Sequence, residues 1–292
     1  QIFQQLNDED LAKSREVERL WQNFIDERNY PWLRIVNIPT ILQDGDTYMH
    51  LAAQCGQTDM FEMILDKEEN KNAKNCNGET PFLVACSKGR MNIALILLKK
   101  YEELKIDFNV KGNDGRTAFH LACLNGHSEI AEMILKNSSN LKIDLNSKDF
   151  YSWTPFYVAC LNDHSMIAEM IMKNSSELEI DLNSKESDGQ TAFHIACAYG
   201  HSEIAEMIMK KSSALKINLN VKDNYGCTAF HLACMYGRIR IVDMMIEQSE
   251  PLKLDLKAVE DSNGKTGFQM AKMCKKTDVV NLIQTRMPSL AV

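Results

Sequence analysis

Asp114-Gly115-Arg116-Thr117-Ala118-Phe119-His120-Leu121-Ala122-Cys123, followed by Asn125-Gly126-His127, decides the fold because it recurs. Asp188-Gly189-Gln190-Thr191-Ala192-Phe193-His194-Ile195-Ala196-Cys197 and Tyr225-Gly226-Cys227-Thr228-Ala229-Phe230-His231-Leu232-Ala233-Cys234 are further copies. Weaker copies begin at Thr47, Thr80, Thr154 and Thr266. The threonines at 47, 80, 117, 154, 191, 228 and 266 differ successively by 33, 37, 37, 37, 37 and 38. A fixed period in this range is the mark of a stacked repeat array, in which each unit buries its apolar face against its neighbours.

Each copy reads as hairpin, helix, helix. Asn77-Gly78, Asp114-Gly115, Asp188-Gly189, Tyr225-Gly226 and Asn263-Gly264 supply hairpin-turn chemistry. The threonine is placed to cap a first helix. Ala122 and Cys123 are small enough for close packing between layers. Gly126 fits a helix stop, and Ser128 restarts a second helix with Ile130, Met133 and Ile134 inward and Glu129 and Glu132 outward. In Asn137–Asn146 the alternation of Leu141, Ile143 and Leu145 predicts an extended piece on the flank of the array.

These copies resemble the ankyrin-repeat family, whose phrase is Thr-Pro-Leu-His-x-Ala in a unit of about 33 residues. The resemblance covers residues 39–292 as seven repeats, numbered here by their threonines, most of them about four residues longer than the family's unit. It implies an all-α ankyrin-repeat solenoid of helix-turn-helix units with β-hairpin tips. It also implies that the motif histidines His50, His120, His194 and His231 order their turns by hydrogen bonds. In the seventh repeat Lys272 replaces the buried cysteine, as a soluble end cap requires.

Residues 1–38 differ. Val17, Leu20, Trp21, Phe24 and Ile25 form an apolar helical face that Pro31 ends. The spacing of Asp10-Leu11, Trp21 and Trp32 resembles the later part of an F-box. That resemblance implies adaptor contact through Ile2, Leu6, Leu11, Val17 and Trp21. The other reading of residues 1–38 is a helical cap on the first repeat.

The net charge is −7 without a basic run, so neither nucleic acid nor an anionic membrane is expected as a partner. No apolar stretch approaches the ~20 residues of a membrane span, and no signal-peptide pattern is visible from Gln1 onward. Cys86, Cys123, Cys160, Cys197 and Cys234 share one repeat position. Neighbouring copies one helix spacing apart, about 8–10 Å, are too distant for disulfides. They read as small buried apolar residues and indicate a reducing compartment, cytoplasmic or nuclear. Asn137-Ser138-Ser139 and Asn174-Ser175-Ser176 match a glycosylation pattern but read better as helix-end polar residues.

No chemistry stands out. The seven histidines are all explained by repeat position, with His127, His164 and His201 at the junction between helices. Asn263-Gly264-Lys265-Thr266 echoes a P-loop ending, but Val259 stands where that motif needs glycine. No catalytic residue, metal or cofactor is expected, and the chain is expected to be a monomer. What remains is recognition, which in the resembled family uses the tips and the exposed side of the first helix. The fourth repeat is the outlier: Ser152 and Asp163 stand at glycine positions, Tyr157 replaces the motif histidine, and the tip carries three aromatics. Tyr and Trp are enriched in interface hot spots. The expected partner-binding residues are therefore Phe150, Tyr151, Trp153, Leu161, Tyr199, Tyr225, Met235 and Tyr236. The expected function is a substrate receptor of an SCF-type cullin–RING ubiquitin ligase. The alternative is an ankyrin scaffold or inhibitor holding one protein partner.

Overall fold

The computed structural model describes residues 45–67, 70–258 and 264–291, with Arg19 alone before them. The adaptor residues expected at Ile2, Leu6, Leu11, Val17 and Trp21 lie outside the described residues. The chain divides into two compact units, Gln1–Ile130 and Ala131–Val292.

Every repeat threonine stands at the N-terminus of a helix, and a second helix follows. In the first unit the first helices Tyr48–Cys55, Pro81–Ser87 and Ala118–Asn125 pack in succession, and the second helix Thr58–Leu65 packs on Met91–Lys99. In the second unit the first helices are Pro155–Leu161, Ala192–Tyr199, Ala229–Met235 and Gly267–Met273, again each on the next. Their second helices Ser165–Asn174, Ser202–Leu215, Ile239–Glu247 and Thr277–Arg286 form a parallel file. The core is what the repeat phrase supplies: Phe119, Phe193 and Phe230 are buried, with Ala122, Ala196 and Ala233 fully covered. A buried phenylalanine contributes about 1.5–3 kcal/mol over an exposed one. Cys86, Cys123, Cys160, Cys197 and Cys234 are all buried, as their periodicity requires.

The motif histidine does two jobs. In the first repeat Thr47 N–H donates to His50 Nδ1 at 3.0 Å, while His50 Nε2 lies 2.8 Å from the Glu79 carbonyl of the next tip. Since Nδ1 accepts, Nε2 carries the proton and donates. His194 repeats this between Thr191 (3.2 Å) and the Cys227 carbonyl (3.2 Å). One neutral ring thus caps its own helix and ties it to the next repeat. Burial lowers the pKa of both rings. The second and fourth repeats dispense with it: Pro81 and Pro155 open their helices, and Thr80 and Thr154 accept from the Leu83 and Tyr157 amides.

Two expectations change. The tips are turns, and no strand forms among the described residues. Each tip is closed by one bond of the kind Asp149 N–H to Trp153 carbonyl, 3.0 Å, with a three-residue turn inside it. The helix cap at Thr154 follows Trp153 directly, so no second pair of residues extends the bond into a ladder. The first half of the connection expected as an extended piece, as far as Leu141, is instead more helix. Ser128–Leu141 and Ser202–Leu215 run 14 residues, against 8 for Thr58–Leu65 in the shorter first repeat. Ser165–Asn174 and Ile239–Glu247, in repeats at least as long, stop at 10 and 9 residues, so there the extra residues fall in the turn that follows. Leu145 is buried, while Leu141 and Ile143 are only half-buried.

Those lengthened ends are standardised. Lys105, Lys142, Glu179, Lys216 and Lys253, 37 apart, all adopt φ between 50° and 54°. The next amide then returns to a carbonyl five residues back, as from Ile217 to Ser212 at 2.8 Å. Ser138, Ser175, Ser212 and Ser249 are buried there and donate to carbonyls three residues back. That bonding supports helix-end polar residues as the reading of both Asn-Ser-Ser triplets.

Candidate protein-interaction face

The fourth tip is held from beneath by Asp149. Its buried Oδ1 accepts from the Tyr151 and Trp153 amides, both at 2.9 Å. Asp223 does the same for Tyr225 and Cys227, and Glu186 for Asp188 and Gln190. With the backbone fixed by acids, side chains above it are free to present a surface. Ser152 takes φ 62 and Asp163 φ 58, so both glycine substitutions keep the left-handed geometry of their neighbours. Asp163 places Oδ1 3.4 Å from His201 Nδ1, while His201 Nε2 lies 3.1 Å from the Leu161 carbonyl.

The aromatics order themselves into a ladder. Tyr151 meets Trp153 at 5.0 Å between ring centroids, and Trp153 stacks on Tyr157 at 5.7 Å with 25° between planes. The ladder descends from an exposed ring through a half-buried one to a buried one. Burial pushes the Tyr157 phenol up, and the nearby Glu186, Tyr199 and Asp188 push it further. The next repeat's tip and first helix therefore border the base of the ladder. Tyr199 is 57 % exposed and stacks on His201 at 5.9 Å.

Of the eight expected residues, Phe150, Tyr151, Tyr199, Tyr225 and Tyr236 are exposed, Phe150 at 75 %. Every exposed aromatic side chain among the described residues is one of these five. Trp153, Leu161 and Met235 are half-buried. Met235 packs against the buried group Ala198, Cys227, Leu232 and Met270, so it contributes more to packing than to a surface.

Sequence reasoning missed the polar ladder along the stack. Asn146 Nδ2 donates to the Glu179 carbonyl at 2.9 Å, and its Oδ1 accepts from Asp181 N–H at 2.8 Å. Asn183 and Asn220 repeat both bonds one repeat further on. Asn72 does so in the first unit with Lys105 and Asp107. Lys148 and Lys185 reach along the same flank to the carbonyls of Lys185 and Lys222, both at 2.9 Å. The signal was present: asparagine recurs at 72, 109, 146, 183 and 220, 37 apart.

Nothing in the face resembles a reaction centre. Burial pushes the Cys86, Cys160, Cys197 and Cys234 thiols up, away from thiolate. Among the described residues no group of three or more His, Cys, Asp or Glu could hold a metal ion. No described helix is long and apolar enough to cross a membrane.

The family model for ankyrin repeats matches this chain in three copies, over residues 25–111, 101–186 and 177–257. The chain belongs to the ankyrin-repeat family, whose members are in general protein-binding modules. No curated protein matches the chain at significant similarity.

Proposed function

We propose that the chain is a non-catalytic, monomeric recognition module, and that residues 39–292 form a seven-repeat array. It holds one protein partner on the tips and first helices of its fourth, fifth and sixth repeats. The observation that carries this is that, among the described residues, the exposed aromatics all lie in that band. Exposed aromatic surface is costly unless a partner covers it.

The finer reading is a substrate receptor of an SCF-type cullin–RING ligase, with residues 1–38 docking the adaptor and the array holding the substrate. Its support is the F-box-like spacing of Asp10-Leu11, Trp21 and Trp32. Nine cysteines, five of them at one buried repeat position, favour a cytoplasmic or nuclear setting. The test is co-purification of the chain with the adaptor subunit, beside a variant carrying Leu11→Ala and Trp21→Ala. A stoichiometric complex, lost in a variant whose circular dichroism is unchanged, establishes the ligase role. No complex removes that role, and leaves the array as a scaffold or inhibitor.

A further inference from the structure

The charge on the aromatic band is one-sided. Residues 150–162, 187–199 and 224–236, the tips and first helices of repeats four to six, contain no lysine or arginine and one acid, Asp188. The nearest cations are engaged elsewhere. Lys148 and Lys185 lie along the flank with their ammonium groups on carbonyls. Arg238 Nε donates to the Ala198 carbonyl at 2.8 Å. His194 is buried and neutral.

The acids are distributed differently. Glu186 spends both oxygens on its own tip, accepting from the Asp188 and Gln190 amides and from the Ser187 hydroxyl. Asp188 is exposed, and its carboxylate has no hydrogen bond or ion pair among the described residues. It holds, one 37-residue repeat on, the tip position that Tyr151 holds in the fourth repeat, so it stands in the tip next to the ladder. An unspent carboxylate beside stacked aromatic faces is a site for a cation: the rings attract it through their quadrupoles and the carboxylate pairs with it.

We infer that the occupant of this face is an extended peptide segment of a partner protein carrying an arginine or lysine, which lies on the exposed Tyr151 ring and pairs with Asp188. Aliphatic or aromatic neighbours in that segment cover Tyr199, Tyr225 and Tyr236. The inference rests on the proposed partner face and specifies what that face selects. An acidic segment would meet Asp188 with no cation in the band to offset it, and a nucleic acid would find nothing to neutralise its phosphates.

The test is selection of a random peptide library, displayed on phage, against the full chain. Enriched peptides are then measured by fluorescence anisotropy on the chain and two variants. The expected result is enrichment of arginine or lysine next to apolar residues. Asp188→Asn should weaken the selected peptides about fivefold and flatten their salt dependence. Tyr151→Ala with Tyr199→Ala should remove binding while the far-ultraviolet spectrum stays unchanged. Peptides that need Tyr151 and Tyr199 but show no basic enrichment overturn the cationic class and leave the face standing. Peptides that bind the double-alanine variant as well as the parent overturn the face and this inference together. Failure to enrich any peptide overturns it too.

Discussion

The second and third repeats and the fourth to sixth share one scaffold and present opposite surfaces. In the former the tips are polar and self-satisfied: Arg116 and Asp114 pair at 3.5 Å, and Asn113 donates from its amide and side chain to the Asn77 and Cys76 carbonyls. In the latter the tips carry Phe150, Tyr151, Trp153 and Tyr225 over the same turn, and the first helices end in Leu161, Tyr199 and Tyr236. The buried positions barely differ between the two sets. Surface identity is therefore decoupled from folding, because a side-chain acceptor in each of these tips (Asn75, Asp114, Asp149, Glu186 or Asp223) and the threonine at each helix start hold the backbone regardless of what is displayed. A repeat fold can concentrate recognition in a few repeats for that reason.

The largest effect that would break the comparison lies at Tyr157. If the ring ladder is built on a buried foundation, Tyr157→Ala should cost about 3 kcal/mol in urea denaturation, within the range for large aromatic truncations. A loss under about 1 kcal/mol would mean that the fourth repeat is not organised around this ring. Next in size is recognition itself. Trp153→Ala with Tyr199→Ala should weaken a basic peptide about 100-fold, roughly 2.7 kcal/mol. Arg116→Ala in the polar tip should change affinity less than about twofold, as expected away from a hot spot. Equal effects at the two tips would erase the distinction.

The period, the helix starts and the buried faces were legible because they are local: a threonine cap, a glycine stop and an apolar phrase each act within a few residues. The aromatic outlier was legible for the same reason, since Phe150, Tyr151 and Trp153 interrupt a repeat whose other copies are visible. What was not legible depends on partners one repeat away. The pairing of Asn183 with the Lys216 carbonyl spans 33 residues and shows only once the helices are stacked. The lengthened second helix was misread because Leu141, Ile143 and Leu145 alternate across a helix end, where a period of two arises by accident. Half-burial of Trp153, Leu161 and Met235 is likewise a consequence of stacking that a tip position does not reveal.

The histidines give a pH test that separates motif repeats from the fourth. His50 and His194 have folded pKa values lowered by burial from the ordinary 6.5, so the unfolded chain binds protons that the folded one does not. The contribution is therefore absent above about pH 6.5 and becomes a growing destabilisation as pH falls below it, by at most about 1.4 kcal/mol per pH unit for each histidine. Thermal melts between neutral and mildly acidic pH should show this loss. His194→Gln should reduce the slope, while Tyr157→Phe, at the matching position of the fourth repeat, should leave it unchanged. An identical slope in the His194 variant would show that the buried rings are not the source.

The smallest effect bears on why the fourth tip tolerates serine at a glycine position. Gly189 has φ 81, and a Cβ there would stand 2.5 Å from the Asn224 Oδ1 of the next tip; Gly78 faces Asn113 in the same way. Wherever the following tip carries that asparagine, side chain and backbone conformation alike demand glycine. The tip after Ser152 carries Ser187 instead, so the Ser152 side chain meets no clamp. Ser152→Gly alone should stabilise by only about 0.5 kcal/mol, because relief of the left-handed strain is partly offset by glycine's greater unfolded entropy. Ser187→Asn alone should destabilise by about 1 kcal/mol through overpacking. Together they should recreate the asparagine clamp and exceed the sum of the single changes by about 1 kcal/mol, a coupling readable in a double-mutant cycle. Additivity within about 0.3 kcal/mol would show that the two tips do not sense each other, and that the serine at 152 is tolerated for some reason other than the missing asparagine.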